Sequence, residues 1–470
     1  MIDHLLTIVP PWLVILLVVF GVVNGTVAYL IFMERKVASW VQDRIGPNRV
    51  GPWGLLQSVA DGIKMFVKED YRPAGTDKVL FTLAPCLMMT VIIAAMAVIP
   101  WGGILQGTRT FSVADDPFTK MGHPPIIEAA QAVIPAGFYL VGQPVVTNGI
   151  AEVTYRYSFQ ISDVNLGVLY LVAMLSLGVY GIVLGGWSSN NKFSFLGGMR
   201  AAAQMISYEI PFGMSLLTII VMFGTFSLGD IIAAQSHNWM GFLPAWNVFT
   251  QPLAFILFLA CIHAEANRSP FDLAECEQEL IGGYHTEYSS MRFGLFFLGE
   301  YTSMVVTSAV CVALFFGGWH LPGLTDGTDP ANPAVTSSLT LAVLRALVYF
   351  AKIIVIIFVF MWVRWSLPRF RFDQLMGLAW KGMVPISLLI LLSTTLAIYF
   401  LRVGQPTRNV TSPTAMMISG KEAVVLLAMN VVLLAVVLLG RRLLPAGPPV
   451  NRRLAIPCSR FSSATECVDQ

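Results

Sequence analysis

AEANRSPFDLAECEQELIGGYHTEYS (residues 264–289) is polar and acidic, yet long apolar runs flank it on both sides. From Glu265 to Glu300 there are seven acids (Glu265, Asp272, Glu275, Glu277, Glu279, Glu287, Glu300) and two bases (Arg268, Arg292), in a chain with only 27 acids in 470 residues. Working outward, 56% of the residues are hydrophobic and 12% charged, and the mean hydropathy is +0.70. Soluble domains carry roughly twice that charge fraction. A helix of about 20 apolar residues crosses a hydrocarbon core, and nine runs qualify: near 11–33, 78–101, 165–187, 205–226, 248–266, 293–317, 338–363, 380–402 and 421–440. The fold class expected is therefore an all-α integral membrane protein.

Lys and Arg in the connections set an orientation. Arg35, Lys36, Arg44, Arg49, Lys64, Lys68, Arg72 and Lys78 follow the first run. Arg364, Arg369, Arg371 and Lys381 follow the seventh, and Arg441, Arg442, Arg452, Arg453 and Arg460 follow the ninth. The N-terminus is then outside and the C-terminus cytoplasmic, with the acidic stretch on the cytoplasmic side; Arg402, Arg408 and Lys421 are a mild exception. The first run lacks a basic leader and a small-residue cleavage site, and reads as a retained helix. GLLQSVADGIKMFVKED (54–70) has Leu55, Val59, Ile63, Phe66 and Val67 at helical spacing, with Asp61, Lys64 and Lys68 on other faces. It is too short and too charged to span, and suits a helix lying along the interface. An apolar stretch at 126–146 is interrupted by Glu128, Pro135 and Gln143 and is left in a long outside loop.

Several functions are excluded. A net charge of +2 gives no field for nucleic acid. The six cysteines form no CxxC pair, which argues against metal clusters and against a disulfide framework. His263, two residues after Cys261, reads as helix-end packing. DRIGPNRVGPWG (43–54) has glycines and bases but no GxxxxGK[ST], so it reads as a stiff turn. No nucleophile–base pair stands out.

Charges inside a membrane are costly enough to mark function. Glu209, followed by Pro211, lies inside the fourth run, where desolvation favours the protonated carboxyl; the bland alternative is an interfacial glutamate paired with Arg200 or Lys192. Glu265 closes the fifth run, with Arg268 three residues on as a helical partner. Glu275 and Glu279 share a face if their segment is helical, with Glu277 elsewhere, and like charges there titrate together. A proton relay and a solvated acidic loop stand level on spacing alone.

Four segments together resemble a known family. They are MERKVASWVQDRIGPNRVGPWGLLQSVADGIKMFVKED, LGVYGIVLGGWSSNNKFSFLGGMRAAAQMISYEIPFG, AEANRSPFDLAECEQELIGGYHTEYSSMRFGLFFLGEY and RWSLPRFRFDQLM. The family is the membrane subunit of proton-pumping NADH:quinone oxidoreductase, respiratory complex I, that carries the quinone tunnel. The resemblance implies an eight-helix core, here with one extra C-terminal transmembrane helix and the surface helix. It implies a core at 1–403, with an outside insertion at about 103–160, and an extension at 404–470. It implies a proton-coupling chain of Glu209, Glu265, Asp272, Glu275, Glu277 and Glu279. A quinone tunnel would be formed by Glu34, Arg35, Arg44, Asp61, Lys64, Arg364, Arg369 and Asp373. No cofactor would be bound by this chain. Ubiquinone or menaquinone would be substrate, and iron–sulfur clusters and FMN would reside in partner subunits. Expected partners are the peripheral quinone-site subunits, adjacent small membrane subunits and membrane lipids in a bacterial plasma membrane. The insertion and extension resemble those of actinobacterial members. Three alternatives remain: a membrane-bound hydrogenase anchor; a proton-coupled transporter, against which stands the lack of inverted halves; and a purely structural anchor in which the acids are dispensable.

Overall fold

The computed structural model describes residues 11–112, 139–140, 145–147, 150–239, 243–275, 277–326, 335–336, 338–402 and 417–443. Helix α1 (Pro11–Val41) is followed by α2 (Gln57–Val67), α3 (Lys78–Met96), α4 (Gly167–Ser188), α5 (Lys192–Phe223) and α6 (Leu228–Gln235). Then come α7 (Pro252–Glu265), α8 (Ser290–Phe315), α9 (Leu339–Ser366), α10 (Phe372–Arg402) and α11 (Gly420–Leu443). All of these except α2, α6 and α7 are long and apolar enough to cross a membrane, eight in number among the described residues. The chain is a multi-pass membrane protein.

The helix ends follow local chemistry. Asp77 accepts from the backbone N–H groups of Val79 and Leu80 and starts α3. Asn191 does the same for Phe193 and starts α5, which ends on left-handed Gly224. The helix of the fourth predicted run therefore begins about three and a half turns earlier than expected. Lys192 and Arg200 depress the local hydropathy, but the cap and the packing keep that segment helical. The fifth run is broken. A turn at Asn247–Thr250 ends in non-helical Gln251, and Pro252 opens α7, whose 14 residues extend only about 21 Å.

Helix α8 is the mast of the fold. Every residue from Glu300 to Phe315 is buried, and α8 packs against α1, α3, α6, α7 and α9. Apolar side chains of α1, α9, α10 and α11, such as Leu17, Leu347, Leu389 and Val432, make the outer faces. No residue of α2 is buried, and Val59, Ile63, Phe66 and Val67 lie open on its surface.

The structure adds strands that the all-helical expectation lacks. β1 (Ile104–Ser112), β2 (Tyr139–Leu140), β3 (Val145–Thr147) and β4 (Ile150–Ser158) lie in the long connection between α3 and α4. β1 and β4 pair antiparallel, with Ile104 opposite Ser158, and Val335–Thr336 adds a parallel strand to β1. Most of the apolar stretch at 126–146 lies outside the described residues.

Candidate functional site: an acidic interior beside an apolar cavity

The acidic stretch folds back into the protein instead of looping into solvent. Helix α7 stops because Asn267 adopts a left-handed conformation (φ 47°). Gln204 of α5 holds that end, donating to the Ala264 carbonyl (2.9 Å) and to Asn267 Oδ1 (3.2 Å). Phe271 then packs against Tyr208 and Phe370. Gly283, at φ 62°, presses on the Ala274 carbonyl so closely that a Cβ would lie 1.7 Å from that oxygen. Only glycine fits there.

This path separates the acids into two groups. Glu279 is exposed and pairs with Arg200 at 2.7 Å, and Glu287 accepts from Asn191 at 2.6 Å. The inward group is Asp272, Glu275 and Glu300, joined by Glu265. Tyr284 Oη donates to Glu300 at 2.6 Å and lies 3.5 Å from Glu275, which is 3.5 Å from His285 Nδ1. Glu265 and Glu300 border one cavity of about 20 Å³, with Asn267 and Ser303, which is enough for a single water molecule. Glu275 and Glu279 do not share a helical face, since only Glu277–Leu280 is helical. The side chain of Glu277 lies outside the described residues.

Glu209 is half-buried and hydrogen-bonded to Ser176 of α4. Arg200 is engaged with Glu279, and Lys192 lies over the Phe193 ring, so neither is the partner envisaged for Glu209. Arg268 likewise turns away from its envisaged helical role. It is 6% exposed, lies 3.6 Å from Glu34, and stacks 4.1 Å from the Tyr301 ring centre. Burial opposes its charge, but Tyr301, Glu34, Glu300 and Glu275 outweigh burial and hold its proton more tightly than usual. Burial, then Glu300 and Glu275, pushes the Tyr284 hydroxyl well up, so it remains a donor. Burial also raises Glu275. His263 stacks on Phe360 at 3.8 Å, in keeping with a packed helix end.

Beside this interior lies a cavity of about 570 Å³. Ile31, Ala38, Ile45, Pro47, Phe297 and Trp365 supply apolar wall, and Glu34, Arg35, Arg44, Tyr301 and Arg364 the polar groups. That is the composition and size of a small-molecule site. Glu34 is the joint. It accepts hydrogen bonds from both Tyr301 and Arg364, and it faces Arg268. Asp61 pairs with Arg35 at 2.7 Å and Lys64 at 3.7 Å on the cavity's flank. Arg369 instead joins the acidic loop through Asp272 at 2.8 Å, and Asp373 is exposed on the first turn of α10. Sequence reading passed over Glu300, Tyr284, Tyr301 and Arg268 as site members, although FFLGEY places a carboxylate inside an apolar run.

The family model described as NADH dehydrogenase matches residues 13–395. One of the NADH-quinone oxidoreductase H subunits, that of Cytophaga hutchinsonii, is 42% identical over 382 residues, covering 81% of this chain and 94% of the relative. The chain belongs to the H-subunit family of NADH-quinone oxidoreductase. The H subunit of Flavobacterium johnsoniae is 42% identical over 381 residues, covering 81% of this chain and 93% of the relative. An H subunit of Geobacter metallireducens is 41% identical over 376 residues, covering 80% and 93%. None of these three is an actinobacterium, so the actinobacterial resemblance rests on the insertion and extension alone. As a member of this family, the chain is a membrane component of the proton-translocating respiratory oxidoreductase, complex I.

One consequence is a pH dependence. An unfolded aspartate titrates near 4. Burial, against the pull of Arg369, pushes Asp272 up to about 6. Between those values the folded chain holds more protons than the unfolded one, so this group's contribution to stability falls as pH rises from about 4 to about 6. Asp272→Asn is expected to flatten that slope in thermal unfolding of the purified complex. An unaltered slope would assign it to other groups.

Proposed function

We propose that the 570 Å³ cavity is the membrane-side part of the quinone-binding tunnel and that the buried carboxylates couple quinone reduction to proton translocation. The observation that carries this reading is the double contact of Glu34. It borders the cavity and also meets Arg268, around which Glu275 and Glu300 gather. The apolar wall suits an isoprenoid, and Arg35, Arg44 and Arg364 suit its polar headgroup. Quinone, ubiquinone or menaquinone, would receive electrons from partner subunits that hold FMN and iron–sulfur clusters.

The chemistry assigned to this chain is electrostatic. Reduction of a quinone changes charge beside Glu34, Tyr301 and Arg364. A unit charge about 4 Å from another is worth about 4 kcal/mol at an effective dielectric of about 20, or roughly a thousandfold in proton affinity. That is enough to move a proton among Glu300, Glu275, Asp272, Glu265 and Glu209, with Tyr284 in reach of Glu300 and Glu275 as donor.

The same reading places the N-terminus outside, the C-terminus in the cytoplasm and nine spans in a bacterial plasma membrane, the fifth being the broken one. Helix α2 then lies in the cytoplasmic interface with Phe66 and Val67 toward lipid. Residues 1–403 form the tunnel and coupling unit and 404–470 an extension, with peripheral quinone-site subunits and small membrane subunits as neighbours.

Filling the cavity tests the assignment. Ala38 is 4% exposed and borders it. Ala38→Phe is expected to lower NADH–quinone activity at least about tenfold, or to raise KM for quinone correspondingly. Electron transfer from NADH to a water-soluble acceptor upstream should be unchanged. Normal quinone kinetics in the assembled variant would remove the cavity from the quinone path.

A further inference from the structure

Helix α11 lies beyond residue 395, where the family match ends. Near its middle, Asn430 is buried (1% exposed) beside outward-facing Val431 and Val432. Its Nδ2 is shared among three acceptors: Leu426 O of its own helix (2.9 Å), Thr250 O (3.1 Å) and Gln251 Oε1 (2.9 Å). Gln251 Nε2 in turn donates to Thr394 Oγ1 of α10 at 3.2 Å. Thr250, Gln251 and Thr394 are also fully enclosed.

These contacts meet at the break in the fifth run. Gln251 is non-helical (φ −133°, ψ 59°), and Pro252 brings no N–H to the junction. Non-helical backbone persists at membrane depth only where protein groups satisfy it, and Asn430 brings a donor to the Thr250 carbonyl. From this junction α7 runs unbroken to Glu265. The pinned end therefore acts with Gln204, which holds the other end, in setting how far that end projects toward Glu300 and their shared cavity.

We infer that Asn430 is a positioning residue: α11 pins the break at Thr250–Gln251 and, through the rigid rod of α7, sets where Glu265 stands opposite Glu300. This rests on the proposed place of Glu265 in the carboxylate chain. Interhelical hydrogen bonds in membranes are individually modest, so removing this one loosens α7 without unfolding the protein.

The test uses the intact complex in inside-out membrane vesicles, with assembled complex, NADH–quinone rate and protons translocated per NADH measured together. Asn430→Leu keeps the size and removes the donor. It is expected to lower the proton-to-NADH ratio about twofold while assembled content and electron transfer stay near wild type. Asn430→Gln, which restores an amide, is expected to recover most of the ratio. A wild-type ratio in Asn430→Leu overturns the inference, as does an equal loss in both variants, which would mean packing alone. So does a fall in assembled complex with a normal ratio in what remains. Should Asn430→Leu not assemble, Asn430→Ser takes its place with the same readings, since the short side chain withdraws the amide donor from Thr250 and Gln251. Glu265→Gln is run alongside. If it pumps normally, the carboxylate reading fails; if it uncouples while Asn430→Leu does not, only the role of α11 fails.

Discussion

Arg268→Met is expected to destabilise the protein by about 3–5 kcal/mol, the range for removing one partner from a buried ion pair, and to abolish quinone reduction. The side chain is 6% exposed and lies between the Glu34 carboxylate and the Tyr301 ring, with Glu300 and Glu275 close enough to bind its charge. Without it Glu34 keeps Arg364 and Tyr301, but the interior acids lose the cation around which they gather. Native gel electrophoresis and thermal unfolding should show less assembled and less stable complex. Arg268→Lys retains charge but not the planar stack 4.1 Å from Tyr301, so it should fall between. Wild-type assembly and activity in Arg268→Met would mean that the cluster is not organised by this residue.

How much of this was open to sequence reading depended on the range of the interaction. The spans were legible because an apolar run of the right length has few alternatives in a bilayer. The break at Gln251–Pro252 carried a signal, a proline inside an apolar run, but NVFTQPLAF reads as continuous when only mean hydropathy is followed. Strands β1 and β4 lie in the long connection between α3 and α4, where the two-residue alternation in TYRYSF is their only signal and mean hydropathy does not report it.

Within the acidic stretch, spacing misled wherever helix was assumed. The left-handed turn at Asn267 sends Arg268 to Glu34, 234 positions earlier in the chain, instead of back to Glu265. The close approach of Gly283 to Ala274 turns Glu275 inward while Glu279 faces out to Arg200. The junction of Glu34 with Arg364 spans 330 positions, and no periodicity reports a pair so distant. Its two members were reached only through motif resemblance.

The sharpest separation of charge from structure is expected from Glu300→Gln. Glutamine is isosteric, and its carbonyl oxygen can still accept from Tyr284 Oη across the 2.6 Å contact, so assembly should be preserved. What it lacks is a titratable proton. In assembled complex, NADH-driven proton translocation is expected to fall more than about tenfold, and electron transfer by less when the proton gradient is discharged with an uncoupler. Glu300→Asp keeps the proton but shortens the reach by a methylene and should retain partial pumping. Glu279→Gln and Glu287→Gln are the internal controls. These acids belong to the same crowded segment but are spent on Arg200 and Asn191, and an exposed pair such as that of Glu279 is worth at most about 1 kcal/mol. Both controls should pump normally. If Glu300→Gln pumps as well as they do, the interior acids only fold the loop, and the density of carboxylates between Glu265 and Glu300 has no part in coupling.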